Sequence, residues 1–308
     1  MVKISDYDKF DYNYKTYWEN RKYEDKAEKI ALEKYLQDMN GSIFVDIGGS
    51  FGRNLEIYYK KYSIPIILDY SIKTLQKNSK TLLKKYPEVK LIAANAYKMP
   101  FKNETVDASL IVRVLHHLED QNGILKEIDR ITQKDGFFIL EYANKMHIKA
   151  ILKWIFTLKF KNFSHAPYQQ PNQENFEGTK KGQTTIFLNY HPKYIKKLLQ
   201  QNNFLIAKKT NCSFLRMRFF KKNFALKTLV DFESFLQKCA SWTNFAPSII
   251  LKTRKNLDSS TRTNIESFED VLCCPDCKDN LYIKKCTATC KGCKKTFKNK
   301  SGVWDFRV

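Results

Sequence analysis

The spacing of apolar and polar residues changes several times along the chain, and each change predicts a different element. Apolar positions three and four residues apart predict a helix over 23–36. From residue 42 onward, short apolar runs alternate with stretches of helical period. The predicted strands are 43–47, 64–68, 89–94, 106–112 and 137–142, and the predicted helices are 53–62, 72–85 and 121–131. Strands separated by helices of this length favour a parallel sheet covered on both faces, so we expect an α/β, Rossmann-like fold.

The second half of the chain departs from this alternation. An apolar helix is predicted over 146–160, and a polar stretch rich in proline and glycine follows it. Regular structure is predicted again as a helix over 192–201, strands over 204–207 and 248–252, and a helical insertion between the two strands. The predicted division is an N-terminal helical segment (1–40), a main domain (41–255) with insertions at 143–190 and 211–241, a linker (256–270) and a cysteine module (271–308).

Composition narrows the class of protein without deciding its partner. Hydrophobic residues make up 43% of the 308 residues, which is enough for a core and excludes general disorder. Lys and Arg number 54 against 32 Asp and Glu, a net charge of +22 that fits a nucleic acid or an anionic membrane. A lysine-rich composition without any such partner explains the charge equally well.

No apolar run is long enough for a transmembrane helix and no secretory signal is visible, so we expect a cytoplasmic protein.

A glycine loop follows the first predicted strand and opens the next predicted helix. Gly48, Gly49 and Gly52 lie within five residues, and Asp69 ends the following strand, where a carboxylate can bind both hydroxyls of a ribose. Asp46 lies at the mouth of this loop, and its charge would repel a pyrophosphate but attract a cation. S-adenosylmethionine (SAM) carries an ammonium, a sulfonium and a ribose but no phosphate, so SAM is favoured over NAD. Asp46 as a charge at a helix N-terminus is the alternative.

These segments resemble, in order, the motifs of the class I SAM-dependent methyltransferases, with a type 11-like domain. The resemblance covers roughly residues 40–142 and includes Asp46-Ile47-Gly48-Gly49-Ser50-Phe51-Gly52, Leu68-Asp69-Tyr70-Ser71, Ala94-Asn95-Ala96 and Val114-Leu115-His116-His117. It implies that Asp46, Gly48, Gly49, Ser50 and Gly52 hold the methionine part of SAM, that Asp69 and Tyr70 hold the ribose, and that Asn95 and Ala96 hold the adenine edge. Two positions depart from the family pattern. Ser50 replaces the middle glycine, and Asn95 replaces the more usual aspartate.

Methyl transfer depends mainly on alignment, so the sequence gives weaker signals for catalytic residues than for the cofactor. His116 and His117 are candidates for a general base, and Arg113 could face the ligand or an acidic substrate. Packing or capping at a strand-to-helix turn is the alternative role for the two histidines. The apolar 146–160 segment favours a small, hydrophobic or lipid-like acceptor and a peripheral membrane contact, and ordinary packing of this helix on the sheet is the alternative. RNA, with tRNA foremost, is the alternative acceptor, and a catalytically silent SAM-binding module is the third interpretation.

The C-terminal cysteines have the spacing of a metal site. Cys274 and Cys277 form one CxxC pair, Cys290 and Cys293 form another, and the pairs predict a structural zinc ribbon with four thiolate ligands. Cys273 and Cys286 are spare cysteines that could replace a ligand, and a disulfide cluster is the alternative. Residues 271–308, with Gly302-Val303-Trp304-Asp305-Phe306 near the end, resemble the small zinc-ribbon proteins that activate RNA and protein methyltransferases.

Overall fold

A computed structural model describes residue 8 and residues 14–170, 186–256, 265 and 267–308. The predicted segments at 1–40, 143–190 and 256–270 therefore lie partly outside the described residues. The helices are α1 (Tyr14–Glu19), α2 (Lys22–Leu36), α3 (Leu55–Tyr58), α4 (Ile72–Lys85), α5 (Gln121–Ile131), α6 (Ile148–Phe156), α7 (Pro192–Gln201), α8 (Arg218–Asn223) and α9 (Leu226–Cys239). Every helix among the described residues is too short or too polar to cross a membrane.

Most of the strands join one large sheet. The strands are β1 (Gly41–Ile47), β2 (Tyr62–Asp69), β3 (Lys90–Ala93), β4 (Val106–Ile111), β5 (Thr132–Ala143), β6 (Tyr168–Gln169), β7 (Leu188–Asn189), β8 (Phe204–Cys212), β9 (Ser248–Lys255), β10 (Leu281–Lys284), β11 (Thr287–Cys290), β12 (Thr296–Lys300) and β13 (Val303–Asp305). Eleven of them pair in the order β10-β11-β12-β13-β3-β2-β1-β4-β5-β9-β8, and β6 pairs with β7. Strands β1 to β5 are parallel, and helices lie in every connection between them except that from β3 to β4, which confirms the Rossmann-like α/β fold.

Each face of the sheet is covered by its own apolar layer. One layer includes Ile43, Ile66 and Phe138 with apolar residues of α5 and α7. The other includes Phe44 and Ile67 with apolar residues of α2, α4 and α9. Successive residues of β1 thus point to opposite layers, as a strand buried on both faces requires.

Beyond the parallel strands β1 to β5, the sheet continues with two antiparallel strands, whose direction the sequence pattern did not predict. β9 runs antiparallel to both β5 and β8. After β8 the chain passes through α8 and α9 and returns to the same edge of the sheet. The return is shown by the Asn211 amide at the end of β8, which donates to the carbonyls of Ala240 and Thr243. Because β9 starts at the edge where β8 ends, it must run in the opposite direction.

The cysteine module continues the main sheet. Its four strands form an antiparallel meander, and the last of them, β13, pairs in parallel with β3. Phe306 donates its backbone N–H to the carbonyl of Ala93, and Cys273 donates to the carbonyl of Pro100. Phe297, Trp304 and Phe306 belong to the same apolar layer as β3 and α5, so the module and the main domain share a core.

Several helices are shorter than their sequence pattern predicted. The 146–160 segment is helical only over α6, because Leu158 adopts a left-handed φ of 53° that ends the regular helix. The 53–62 segment is a single α-helical turn followed by a 3-10 turn, and its last residue already belongs to β2. The 211–241 insertion consists of two helices, α8 and α9.

Candidate cofactor pocket and metal centre

The predicted cofactor residues meet in one pocket at the carboxyl edge of the parallel strands. Parallel strands bring their carboxyl ends to one edge, and ligands of open α/β sheets bind there. The predicted residues that line the pocket are Asp46, Gly48, Gly49, Ser50, Asp69, Tyr70, Asn95, Ala96, Arg113, His116 and His117. Gly52 lies in the loop but is not part of the lining. The structure thus brings together residues that are up to 71 positions apart, from 46 to 117.

The glycine loop has backbone conformations that explain its glycines. Gly48 has a φ of +76°, and a Cβ at this position would lie 2.3 Å from Cγ2 of Val114. Gly52 has a φ of +78°, and a Cβ there would approach the side chain of Leu82. Ser50 also adopts a left-handed φ, of 50°. Glycine is favoured in this backbone conformation, but the chain has a serine there.

Asp46 is a buried acid at the mouth of the loop. Asp46 is the last residue but one of β1. Its side chain is 2% exposed and accepts a hydrogen bond of 3.2 Å from the Tyr58 hydroxyl at Oδ2. Burial raises the pKa of Asp46 to about 7, although Tyr58 and the positive charge of Arg53 act in the opposite direction. A buried carboxylate whose charge is this poorly compensated favours a cationic ligand.

Asp69 is the last residue of β2, and Asn95 follows the end of β3 by two residues. Both side chains accept hydrogen bonds from the backbone. Asp69 accepts from the N–H of Ser50 at 3.0 Å and from that of Ser71 at 2.9 Å. Burial nevertheless raises its pKa to about 6. The Asn95 Oδ1 atom accepts from the N–H of Tyr97 at 2.9 Å, which fixes the orientation of the amide. Each oxygen has a second lone pair, so both side chains can still accept from a ligand.

The two histidine candidates differ in what their rings can do. His116 is buried at 3% exposure, burial pulls its pKa well below the usual range, and its Nδ1 has no hydrogen-bond partner within the described residues. The His117 Nδ1 lies 3.1 Å from the carbonyl oxygen of Ile186. Since a carbonyl only accepts, Nδ1 carries the proton and Nε2 is the basic nitrogen of the neutral ring. Both rings also contact Phe187, so a packing role for the two histidines does not exclude a chemical one.

Arg113 lines the pocket, but its guanidinium is held by an acid of α2. Its Nε donates to Oε1 of Glu28 at 2.6 Å, and its backbone N–H donates to Glu141. Arg53, at the end of the glycine loop, donates to the other oxygen of Glu28 at 2.8 Å. Two arginines of the pocket wall therefore share one buried carboxylate, and this pairing fixes α2 against the site.

Three aromatic residues of the pocket were missed by the sequence analysis. Tyr17 and Trp18 come from α1, and Phe187 comes from the segment before β7. Trp18 lies against Arg53, with the guanidinium carbon 3.7 Å from the ring centroid. The aromatic-rich N-terminus was the available signal, but no spacing rule connects it to the glycine loop.

Comparison with known proteins identifies this part of the chain. Residues 45–140 match the family model described as a methyltransferase domain, and they cover the end of β1, all of β2 to β4 and most of β5. Residues 45–140 are therefore similar to a methyltransferase domain, which agrees with the resemblance expected from the sequence motifs.

Relatives of the methyltransferase domain cover only part of the chain. An uncharacterized protein of Methanocaldococcus jannaschii is 30% identical over 161 residues, which are 52% of this chain and 59% of the relative. A demethylmenaquinone methyltransferase of Lysinibacillus sphaericus is 28% identical and covers 37% of this chain and 53% of its own. The chain thus spans little more than half the length of these curated relatives. The crystal structure of the cyclase SpnF has the same fold, with a TM-score of 0.50 at 12% identity, covering 76% of this chain and 82% of the other.

The four predicted zinc ligands form a cluster beside the methyltransferase domain. The Sγ atoms of Cys274, Cys277, Cys290 and Cys293 all lie within 4.8 Å of one another. Two pairs are closer, at 3.6 Å for Cys274 with Cys293 and 3.4 Å for Cys277 with Cys290. Tetrahedral Zn–S bonds of about 2.3 Å place sulfurs about 3.8 Å apart, so the donor set fits zinc. Among the described residues, Cys273 and Cys286 are not part of this cluster.

Proposed function

We propose that this protein is a SAM-dependent methyltransferase whose acceptor is a small, apolar or lipid-like molecule. The observation that carries the proposal is the buried carboxylate of Asp46 facing a glycine loop that a Cβ would obstruct. The methyltransferase domain supports the reaction class.

The pocket fits SAM part by part. Asp46 and the backbone of Gly48, Gly49 and Ser50 would hold the amino-acid end, since the acid offers negative charge to an ammonium. Asp69, with Tyr70 beside it, would accept from the ribose hydroxyls through the lone pairs that the backbone leaves. Asn95 and Ala96 would meet the adenine edge.

The protein's own contribution is mostly alignment and exclusion of water. SAM supplies a methyl group already activated by the sulfonium. The aromatic wall of Tyr17, Trp18 and Phe187 narrows the pocket and excludes water from it. The His117 Nε2 can take a proton from an acceptor that keeps it until late, whereas the depressed pKa of His116 makes that ring a weak base. Arg113 acts through Glu28 by holding α2, and so serves as a positioning residue.

The acceptor class rests on the residues around the pocket. The segment after β5 exposes apolar side chains, and one curated relative is named as a demethylmenaquinone methyltransferase. RNA is the second candidate, because the net charge is +22 and exposed lysines cover the cysteine module. A silent SAM-binding module is the third.

A single labelling experiment separates these candidates. The purified protein is incubated with SAM carrying a radioactive methyl group and a cell extract, with and without nuclease. Label in the organic phase supports the proposal, and label that nuclease removes assigns RNA. Binding of SAM by calorimetry without any transfer assigns the silent module, and binding of NAD without SAM overturns the cofactor.

We also propose that the cysteine cluster holds structural zinc and that the protein works in the cytoplasm. Four thiolates close the metal's coordination shell, which suits a structural role, since catalytic zinc keeps an open position. All eight cysteines are unpaired, which supports a reducing compartment. Metal analysis of the purified protein, with one zinc expected per chain, tests the first part.

A further inference from the structure

The helix after β5 turns its apolar face outward. Ile148, Leu152, Ile155 and Phe156 lie at spacings of four, seven and eight residues, which place them on one face of α6. All four are exposed, with Phe156 at 82%. The other face is anchored by Trp154, which is 4% exposed and packs against Phe163 and Tyr168. A globular helix normally buries its apolar face, so this face needs an explanation.

Neighbouring residues extend the exposed apolar area. Leu158 and Phe160 follow α6 and are 75% and 60% exposed. The backbone N–H of Ile148 donates to the carbonyl of Phe245 at 3.1 Å, which places Phe245 at the start of the helix. Trp242 lies three residues before Phe245 in the chain. Trp242 is 79% exposed. We call these residues the apolar rim: Ile148, Leu152, Ile155, Phe156, Leu158, Phe160, Trp242 and Phe245.

The charges along the segment that carries most of the apolar rim have one sign. Residues 144–170 contain five lysines and no acidic residue. Lys149 and Lys153 are exposed and follow Ile148 and Leu152 directly, so they flank the apolar face, and Lys159 lies between Leu158 and Phe160. Long lysine side chains can place their amines at a headgroup layer while apolar neighbours enter the acyl region.

We propose that the apolar rim docks this protein on an anionic lipid bilayer. A second copy of the chain fits less well, because an isologous contact would bring lysines against lysines. RNA fits less well too, since the helix face itself is mainly aliphatic, through Ile148, Leu152 and Ile155, and base stacking gives such side chains no partner. A bilayer meets both features, because it takes up apolar side chains and attracts lysines.

The position of the apolar rim connects it with the pocket. α6 begins five residues after the end of β5, at the sheet edge where the pocket opens. A docked protein would therefore present its pocket edge close to the membrane, where a lipid-like acceptor resides. This link to the acceptor rests on the proposed function, whereas the docking itself does not.

The test uses the full-length protein and vesicles with two compositions. One set contains phosphatidylglycerol and phosphatidylcholine in equal parts, and the other contains phosphatidylcholine alone. We expect co-flotation with the anionic vesicles that weakens as salt is added. The triple variant Phe156→Ser, Leu158→Ser, Trp242→Ser should reduce this binding about tenfold or more, since three insertion side chains are lost. The control Leu205→Ser, Tyr282→Ser changes exposed apolar residues elsewhere and should bind as the unchanged protein does.

The outcomes separate the proposal from its rivals. No flotation of the unchanged protein, or equal flotation of the triple variant, overturns the docking. A dimer in size-exclusion chromatography that the triple variant dissociates assigns the surface to a second copy, and loss of tRNA binding in that variant assigns it to RNA. Calorimetry with SAM is run on the same proteins. Vesicle binding without SAM binding would refute the proposed function and leave the docking intact. SAM binding without vesicle binding would refute the docking and leave the proposed function intact.

Discussion

The glycine-loop pocket and the cysteine cluster both gather polar groups, but they are held together in different ways. In the pocket, Asp46 and Asp69 are positioned by β1 and β2, whose apolar side chains are buried in both layers of the core. In the cluster, Cys277 and Cys293 are exposed and lie on turns whose following residues, Lys278 and Lys294, have left-handed φ values. The pocket should therefore keep its shape without its ligand, whereas the cluster should lose its shape without a metal.

The largest expected effect comes from removing a zinc ligand. Cys293→Ser should release the metal and lower the stability of the whole chain, because β13 pairs with β3 and the two regions share a core. We expect a loss of roughly 3–5 kcal/mol, or a drop of about 10 °C in the unfolding temperature. Metal analysis and calorimetric melting measure both quantities. Cys286→Ser is the matched control, and zinc retained in the Cys293 variant would show that the ligand set is wrong.

The pocket should respond to mutation without such a loss of stability. Asp46→Asn removes the negative charge and keeps the shape, so SAM affinity should fall by roughly 2–3 kcal/mol, or about 30- to 150-fold. The unfolding temperature should stay the same or rise, since a buried acid with a raised pKa is replaced by a neutral amide. Calorimetric titration tests the affinity. Asp135→Asn is the control, because Asp135 lies near the start of β5, at the sheet edge opposite to the pocket. Unchanged affinity would mean that Asp46 only supports the loop.

The raised pKa values of Asp46 and Asp69 predict a pH dependence of SAM binding in the pocket. A cation binds the ionised acid, and the pKa of Asp46 is about 7 in the free protein. SAM affinity should therefore rise as the pH increases through about 7 and level off above it. In Asp46→Asn this rise should vanish, and a smaller rise near pH 6 from Asp69 should remain. A flat affinity profile for the unchanged protein would contradict the electrostatic account of the pocket.

The same contrast shows how much the sequence could predict. Local spacing was sufficient for the helices over 72–85, 121–131 and 192–201 and for the CxxC pairs, because these elements depend on near neighbours. The pairing of Glu28 with Arg53 and Arg113 could not be predicted, since no spacing rule connects residues 25 or 85 positions apart. The direction of β9 and the pairing of β13 with β3 are also long-range features. The roles of the pocket residues stay predictions that the variants above test.

The smallest expected effect concerns the serine in the glycine loop. Ser50 has a φ of 50°, which costs a residue with a Cβ about 1–2 kcal/mol. Glycine removes this strain but loses about 0.5–1 kcal/mol through the entropy of the unfolded chain. Ser50→Gly should thus stabilise the protein by roughly 0.5–1 kcal/mol in chemical denaturation. It should leave SAM affinity nearly unchanged, because the backbone N–H that Ser50 donates to Asp69 remains.

Ser164→Gly is the matched control for this effect, since Ser164 has an ordinary φ of −54° outside the pocket. There glycine relieves nothing, so the entropy of the unfolded chain should make the variant less stable by about 0.5–1 kcal/mol. Opposite signs for the two serines would show that the loop keeps its conformation against a local cost because the surrounding core enforces it. Equal losses would mean that Ser50 is unstrained and that its side chain contributes a contact of its own. Stability measurements on both variants, with and without SAM, separate strain at Ser50 from a side-chain contact. Only a strained loop becomes more stable on substitution by glycine before SAM is added.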